Sequence, residues 1–390
     1  MDQKEFIVAF DDVALQLGDT GIARYWRELV NALVEFDILK EHSIKPIFLS
    51  RSAFRTNMYE EHLEFPSFDF RFAAADRQLI SAFCKSEKVD LFVSSYYTFS
   101  TVSANLILVY DLIPEVFKFG RMNRGWMERE LAINAASSFF TISNNTRKDL
   151  GEFYPHSNDL HIGVGHPGID SKLFAARNPS VDLNLTQGKR YFVCVGSRYG
   201  EGGYKNGKLL VGAINLIPKE DIDFELYFIG GEPLTQEELK MQSGKGIRIH
   251  TGRFSDSEMV SVIRNAEALV YPSKYEGFGI PPLEALSLGT PVITTRCSSI
   301  PEAVGDLALF VETDDGNQLA ELLLRKDFAE VRDSLIISGP QRAREFTWEK
   351  TAREFGSTLV HSLTTQQSPA WKKRQEILHE YSQIAINLQH

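Results

Sequence analysis

Cysteine is scarce in this chain: Cys84, Cys194 and Cys297 are its only three, widely separated in 390 residues. No pair has the C-x-x-C spacing of a zinc or redox site, and three scattered thiols make no disulfide framework; they read as inert thiols of a reducing compartment. Long apolar runs are also missing. Stretches such as Leu106–Tyr110 fall far short of the roughly 18 residues that span a bilayer. The first residues do not read as a secretory leader, because Lys4 and five apolar residues (Phe6–Phe10) run straight into Asp11-Asp12, so a cytoplasmic location is expected. A basic surplus is lacking: 42 Lys and Arg against 52 Asp and Glu leave −10, which is not the balance of a nucleic-acid binder. Gly and Pro, 27 and 15 residues, are too few for a disordered or collagen-like chain. What remains is ordinary globular usage, 43 % apolar and 24 % charged, at a length that favours two domains.

Short β-rich apolar runs alternate with helical patterns from end to end. The first half offers Phe6–Phe10, Ile44–Leu49, Val89–Ser94, Leu106–Tyr110 and Phe139–Ile142. The second offers Tyr191–Val195, Phe224–Ile229, Ile247–His250, Ala268–Tyr271, Val292–Thr294 and Ala308–Val311. Nearly uniformly apolar runs of this length suit strands covered on both faces of a parallel sheet. Gly21–Phe36 shows the clearest helical spacing, after capping candidates Asp19 and Thr20. The polar stretch Asn178–Gly188 separates two strand–helix series and marks the expected hinge. The expected organisation is α/β. Two doubly wound Rossmann-like domains, 1–177 and 178–369, would face each other across a cleft, with ligands at the carboxyl ends of the strands. Residues 370–390 would form a terminal helix packing back on the body.

Two segments carry most of the chemistry. In Tyr271–Thr294, YPSKYEGFGIPPLEALSLGTPVIT, a strand ends in a Gly-rich loop and Pro281-Pro282 open a helix. The free N–H groups of Gly279, Ile280 and Leu283 at the positive helix end suit a phosphate. Glu276 and Glu284 suit hydroxyls instead, since carboxylates accept hydrogen bonds from sugar or ribose. Phosphate donors between two hydroxyl readers describe a nucleotide-sugar; the plain alternative is a capped helix with solvated glutamates. In Val195–Asn206, VGSRYGEGGYKN, Arg198 and Lys205 bracket a glycine-rich loop that begins at Gly196. Cations beside open N–H groups make a diphosphate clamp, or simply a solvated loop. Gly18–Tyr25 in the first half is a third loop–helix junction, readable as an anion site or a tight turn.

Glu276 and Glu284 form E-x7-E inside EGFGIPPLEAL, which resembles the retaining glycosyltransferases of the GT-B fold, family 4. GIARYWREL (Gly21–Leu29), YDLIPEVF (Tyr110–Phe117), TISNNTRKDL (Thr141–Leu150) and HPGIDSKLF (His166–Phe174) resemble further segments of that family, in order. The resemblance implies roles. Glu284 would hold the donor ribose, and Glu276 would read the donor sugar. Arg198 and Lys205 would bind the diphosphate, with the N–H groups of Phe278, Gly279 and Ile280. Gly21 would let the first loop approach the sugar or phosphate. Neither cofactor nor metal is implied, the positive charge coming from Arg, Lys and the helix end. The domain 1–177 would take the acceptor, a glycan or lipid-linked glycan as in surface-polysaccharide assembly. GDP-mannose is the first donor expected and UDP-sugars the second.

Two departures from the family stand out. Tyr110 occupies the position of the family's His before Asp111, which ranks both behind the Arg/Lys/Glu set. The loop between Arg198 and Lys205 is richer in glycine than the family's E-P-R-K-N. A non-catalytic nucleotide-sugar-binding relative and a GT-B epimerase remain as alternatives. Phe117–Arg129 mixes four cations with apolar side chains, which suits either a peripheral contact with the inner face of a membrane or a solvated helix with its apolar side packed.

Overall fold

The computed structural model describes residues 5–18, 20–51, 62–119, 124–169, 189–252, 254–365 and 369–387. The chain divides into two units: Met1–Pro167 with Trp348–His390, and Gly168–Thr347. The expected hinge at 178–188 lies outside the described residues.

The first unit holds a seven-stranded sheet: β1 (Phe6–Asp11), β2 (Ile44–Ser50), β3 (His62–Glu64), β4 (Leu91–Ser94), β5 (Ala104–Val109), β6 (Ser138–Thr141) and β7 (His161–Val164). They pair in the order β3-β2-β1-β4-β5-β6-β7, parallel throughout. The central strands are buried along nearly their whole length, as their apolar runs require. The helix Gly21–Glu35 follows β1. Thr20 Oγ1 accepts from the Ala23 N–H to start it, and Tyr25, Trp26, Leu29 and Leu33 form its buried face. Two short strands, β3 and β7, were not expected from the sequence.

The terminal helix Pro369–Asn387 does pack back on this unit. Trp371 Nε1 and Gln375 Nε2 donate to the Ala135 carbonyl (3.2 and 2.7 Å), and Leu378 joins the core cluster with Phe99, Ile107 and Phe139. The helix Trp348–Thr364, expected in the second domain, also belongs to the first unit. Its reason is local. Gly163 and Gly165 leave no room for side chains where this helix crosses β7: a Cβ at Gly163 would stand 2.1 Å from Thr358 Oγ1. Phe355 meets Phe140 edge-on at 4.8 Å, and Ser362 hydrogen-bonds Ser138 at 2.6 Å.

The second unit has six strands: β8 (Arg190–Val195), β9 (Phe224–Ile229), β10 (Ile249–Gly252), β11 (Ala268–Tyr271), β12 (Val292–Thr294) and β13 (Leu309–Phe310). The order is β10-β9-β8-β11-β12-β13, again all parallel. A core cluster containing Phe192, Ile214, Leu226, Phe228, Ile293 and Leu319 fills the space between this sheet and its helices. The strand order reverses between β8 and β11. At such a switch point the loops leaving the carboxyl ends of neighbouring strands diverge and leave a crevice. The loops there are the two that the sequence singles out.

Candidate functional site

β8 ends at Val195, and Gly196 turns the chain at φ +84°. Glycine is needed close by for contact as well as angle. Gly231, after β9, has φ +74°, and a Cβ on it would stand 2.4 Å from the Gly196 carbonyl oxygen. The loop from β8 is tied to the loop from β11 at three points. Lys274 N–H donates to the Tyr204 carbonyl (2.7 Å). Asn206, in a left-handed conformation at φ +59°, sends Nδ2 to the carbonyls of Pro272 (3.1 Å) and Thr313 (2.8 Å). Lys205 Nζ donates to both carboxylate oxygens of Glu276, at 2.8 and 2.9 Å, and to the Tyr271 hydroxyl at 3.1 Å. The ammonium also lies 5.2 and 5.3 Å from the ring centres of Tyr204 and Tyr271. Burial raises the Tyr271 phenol well above its ordinary pKa, and the charge and hydrogen bond of the adjacent Glu276 carboxylate add to it. The phenol therefore keeps its proton.

Glu276 is positioned by backbone rather than by luck of rotamer. Ser298 Oγ accepts its N–H (2.7 Å), and its carbonyl accepts from Ser298 Oγ (3.1 Å) and Ser299 Oγ (2.8 Å). Thr295 and Thr294 fasten the preceding turn in the same way, through the Ser273 and Tyr271 carbonyls. The loop after β12 thus fixes the loop after β11. The helix Ile280–Ser287 then starts at Gly279, whose φ of +108° glycine adopts at little cost and other residues do not. Pro281 and Pro282 have no N–H, and the Leu283 N–H goes to the Gly279 carbonyl (3.3 Å). The Leu283 N–H, expected to face a phosphate, is thus used inside the helix. Phe278 is buried against Phe346 (5.3 Å between ring centres), and Glu284 is buried in the first turns of the helix.

Arg198 is packed into the protein beside the loop. Its side chain is 4 % exposed and its Nε bonds Glu238 at 2.6 Å, a carboxylate that is itself 1 % exposed. Nη2 donates to the carbonyls of Glu232 (2.8 Å) and Pro233 (3.1 Å), and the guanidinium lies over the Phe228 ring at 4.4 Å. A buried carboxylate requires a counter-charge, and Arg198 supplies it, anchoring the glycine-rich loop to the helix Gln236–Lys245. Its Nη1 has no hydrogen-bond partner among the described residues. Arg198 and Lys205 line one small cavity, about 20 Å³, with Tyr271 and Ser273, which is room for a single water.

In the first unit Tyr110 follows β5 and is buried, its ring edge-on to Tyr25 at 5.6 Å. Its hydroxyl finds no hydrogen-bond partner among the described residues. Burial pushes the phenol pKa well above its usual value, with Tyr96 adding to the rise. Asp111 caps the turn that follows, accepting the Ile113 N–H at 3.0 Å; Arg129 donates to its carbonyl. Gly21 opens its helix with nothing within 4 Å of a Cβ placed there. No atom of the described residues demands glycine at that position.

The residues missed from the sequence are Tyr271, Asn206, Ser298 and Ser299. Only the first had a signal, as the last residue of a strand at the site edge.

The chain has the fold of the GT-B glycosyltransferases, two parallel α/β units with the site loops of the second at its switch point. Residues 189–326 match the family model described as glycosyl transferases group 1. The chain is 27 % identical over 237 residues to O-antigen chain mannosyltransferase B of Escherichia coli, covering 57 % of this chain and 61 % of that one. It is 28 % identical over 265 residues to D-inositol 3-phosphate glycosyltransferase of Corynebacterium efficiens, covering 61 % and 59 %. The matches thus span about three-fifths of these relatives. Among solved structures, Anabaena HepE in complex with UDP and glucose has the same fold, with TM-score 0.66, 16 % identity, and coverage of 91 % of this chain and 99 % of that one.

Proposed function

We propose that the protein is a retaining glycosyltransferase. It moves a hexose, mannose first, from a nucleoside-diphosphate sugar to a hydroxyl of a glycan or lipid-linked glycan. The observation that carries this reading is the convergence of Lys205, Glu276 and Tyr271 at the switch point, beside the N-terminus of the helix holding Glu284. Lys205 and the N–H groups of Gly279 and Ile280 meet the diphosphate. Glu276 accepts from the sugar hydroxyls, and Glu284 from the ribose. The bond between the anomeric carbon and the diphosphate oxygen breaks with its electron pair going to the diphosphate. The acceptor oxygen bonds to that carbon on the same face and gives its proton to the departing oxygen. Positive charge fixed in place before the reaction stabilises the leaving group most where water is excluded, and it does so here without a metal.

The names of the mannosyl- and inositol-phosphate-directed relatives support the transferase class, and the first of them supports mannose. Tyr110 and Asp111 belong to the acceptor unit in this reading. A cytoplasmic protein with peripheral membrane contact through Phe117–Arg129 fits a lipid-linked acceptor; Gly120–Asn123 of that segment lie outside the described residues. No helix among the described residues is long and apolar enough to cross a membrane.

The test is thermal denaturation with GDP-mannose, UDP-glucose and dTDP-sugars, followed by transfer from whichever binds. A ligand at 100 times its Kd stabilises by about 2.7 kcal/mol, which is roughly 5–10 °C for units of this size. No shift with any of the three would refute the reading.

A further inference from the structure

Lys205 gives its ammonium protons to groups of its own protein. Two reach the oxygens of Glu276 at 2.8 and 2.9 Å, and Tyr271 accepts at 3.1 Å. An ammonium has three protons. A phosphate oxygen can be bound only if one of these contacts is released. Tyr271 is buried at the end of β11, and the Glu276 backbone is clamped by Ser298 and Ser299. The Glu276 side chain is the group that can turn away.

We infer that the Glu276 carboxylate and the donor diphosphate compete for Lys205, so that the site favours the intact sugar nucleotide over the bare diphosphate. The inference rests on the nucleotide-sugar reading above. When an intact donor arrives, the displaced carboxylate exchanges the ammonium for sugar hydroxyls and remains hydrogen-bonded. With a bare nucleoside diphosphate it has no such replacement. It either stays on Lys205 or is left, 9 % exposed, beside a like charge, which is unfavourable for both. After transfer the sugar is gone and the carboxylate returns to Lys205, pushing the product diphosphate out. Glu276 thereby acts at two stages, reading the sugar before reaction and opposing the product after it.

The experiment is calorimetric titration of the full chain and of Glu276→Gln and Glu276→Ala with GDP, UDP, GDP-mannose and UDP-glucose, with melting curves on the same samples. Both variants remove the charge, and Gln also keeps the shape, so either one that folds suffices. Whichever bare diphosphate binds the unaltered protein should bind the variants about tenfold more tightly, the factor that 1.4 kcal/mol supplies. The intact sugar nucleotide should gain less, so the affinity ratio between the two falls. Equal or weaker binding of the bare diphosphate by a folded variant overturns the inference while leaving the nucleotide-sugar reading intact. An unaltered protein that binds none of the four overturns that reading, and the inference with it.

Discussion

Replacing Lys205 with alanine separates catalysis from folding more cleanly than any other single change in this site. The side chain is 17 % exposed, and its ammonium is held by Glu276 and Tyr271 and lies near the Tyr204 ring. Two costs follow, of different kind. For stability, Glu276, 9 % exposed, loses its counter-charge but keeps the Tyr271 phenol, so the loss is about 3 kcal/mol, or roughly 6–12 °C in melting temperature. For transfer, one fixed positive contact to the departing diphosphate disappears. Single donors to a developing negative charge are worth about 3 kcal/mol, some 10²–10³ in rate. Turnover of Lys205→Ala should therefore fall by about two to three orders of magnitude in a protein that still folds. The assay is transfer of labelled sugar under saturating donor, with melting temperature and far-UV circular dichroism as controls. Turnover within threefold of the unaltered enzyme, in a folded sample, would refute the role given to Lys205. A melting temperature lowered by more than about 15 °C would refute the claim that the residue serves the site rather than the fold.

Breaking the Arg198–Glu238 pair should have the opposite profile. Glu238→Ala leaves a buried guanidinium unpaired and should cost about 3–5 kcal/mol, read as a lower urea midpoint; an unchanged midpoint would contradict the anchoring role. Gly163→Ala forces a methyl against Thr358 and Phe140 and should cost about 1–3 kcal/mol, with faster proteolysis of the Trp348–Thr364 helix; equal proteolysis would mean that this helix does not depend on the close approach. Asp12 is buried, which with the nearby Asp11 charge outweighs the Trp26 hydrogen bond and lifts its carboxyl pKa from 3.8 to about 7. Between those values the folded state holds a proton that the unfolded state has lost, so this residue makes stability fall as pH rises from about 4 to 7, by up to about 1.4 kcal/mol per unit. Asp12→Asn, unfolded by urea at pH 5, 6 and 7, should lose that slope, and an identical pH profile would reject the assignment.

Much of this architecture was legible because parallel strands covered on both faces are apolar along most of their length, and runs such as Leu106–Tyr110 follow that pattern. The short edge strands β3 and β7 were not, since His62–Glu64 and His161–Val164 carry polar residues where a sheet margin tolerates them. The E-x7-E segment and Lys205 announced themselves by spacing and neighbouring glycine. Arg198 looked equivalent to Lys205 in sequence. What distinguishes them is Glu238, forty residues on, which faces Arg198 from a separate helix. Tyr271 was visible only as a strand end, because its role comes from where two loops bring Lys205 and Glu276 together. The allegiance of Trp348–Thr364 had one trace in the sequence, the paired Gly163 and Gly165. A glycine there signals a close neighbour without saying which.

The crossing of that helix over β7 has a consequence for biosynthesis. A ribosome releases all of residues 168–347 before it makes the segment that covers Gly163 and Gly165. The seven-stranded sheet must therefore wait, with one margin uncovered, while an entire second fold is synthesised. Fragments that stop at the boundary between the units should be poorly soluble, and chaperone dependence should be concentrated in that interval of translation.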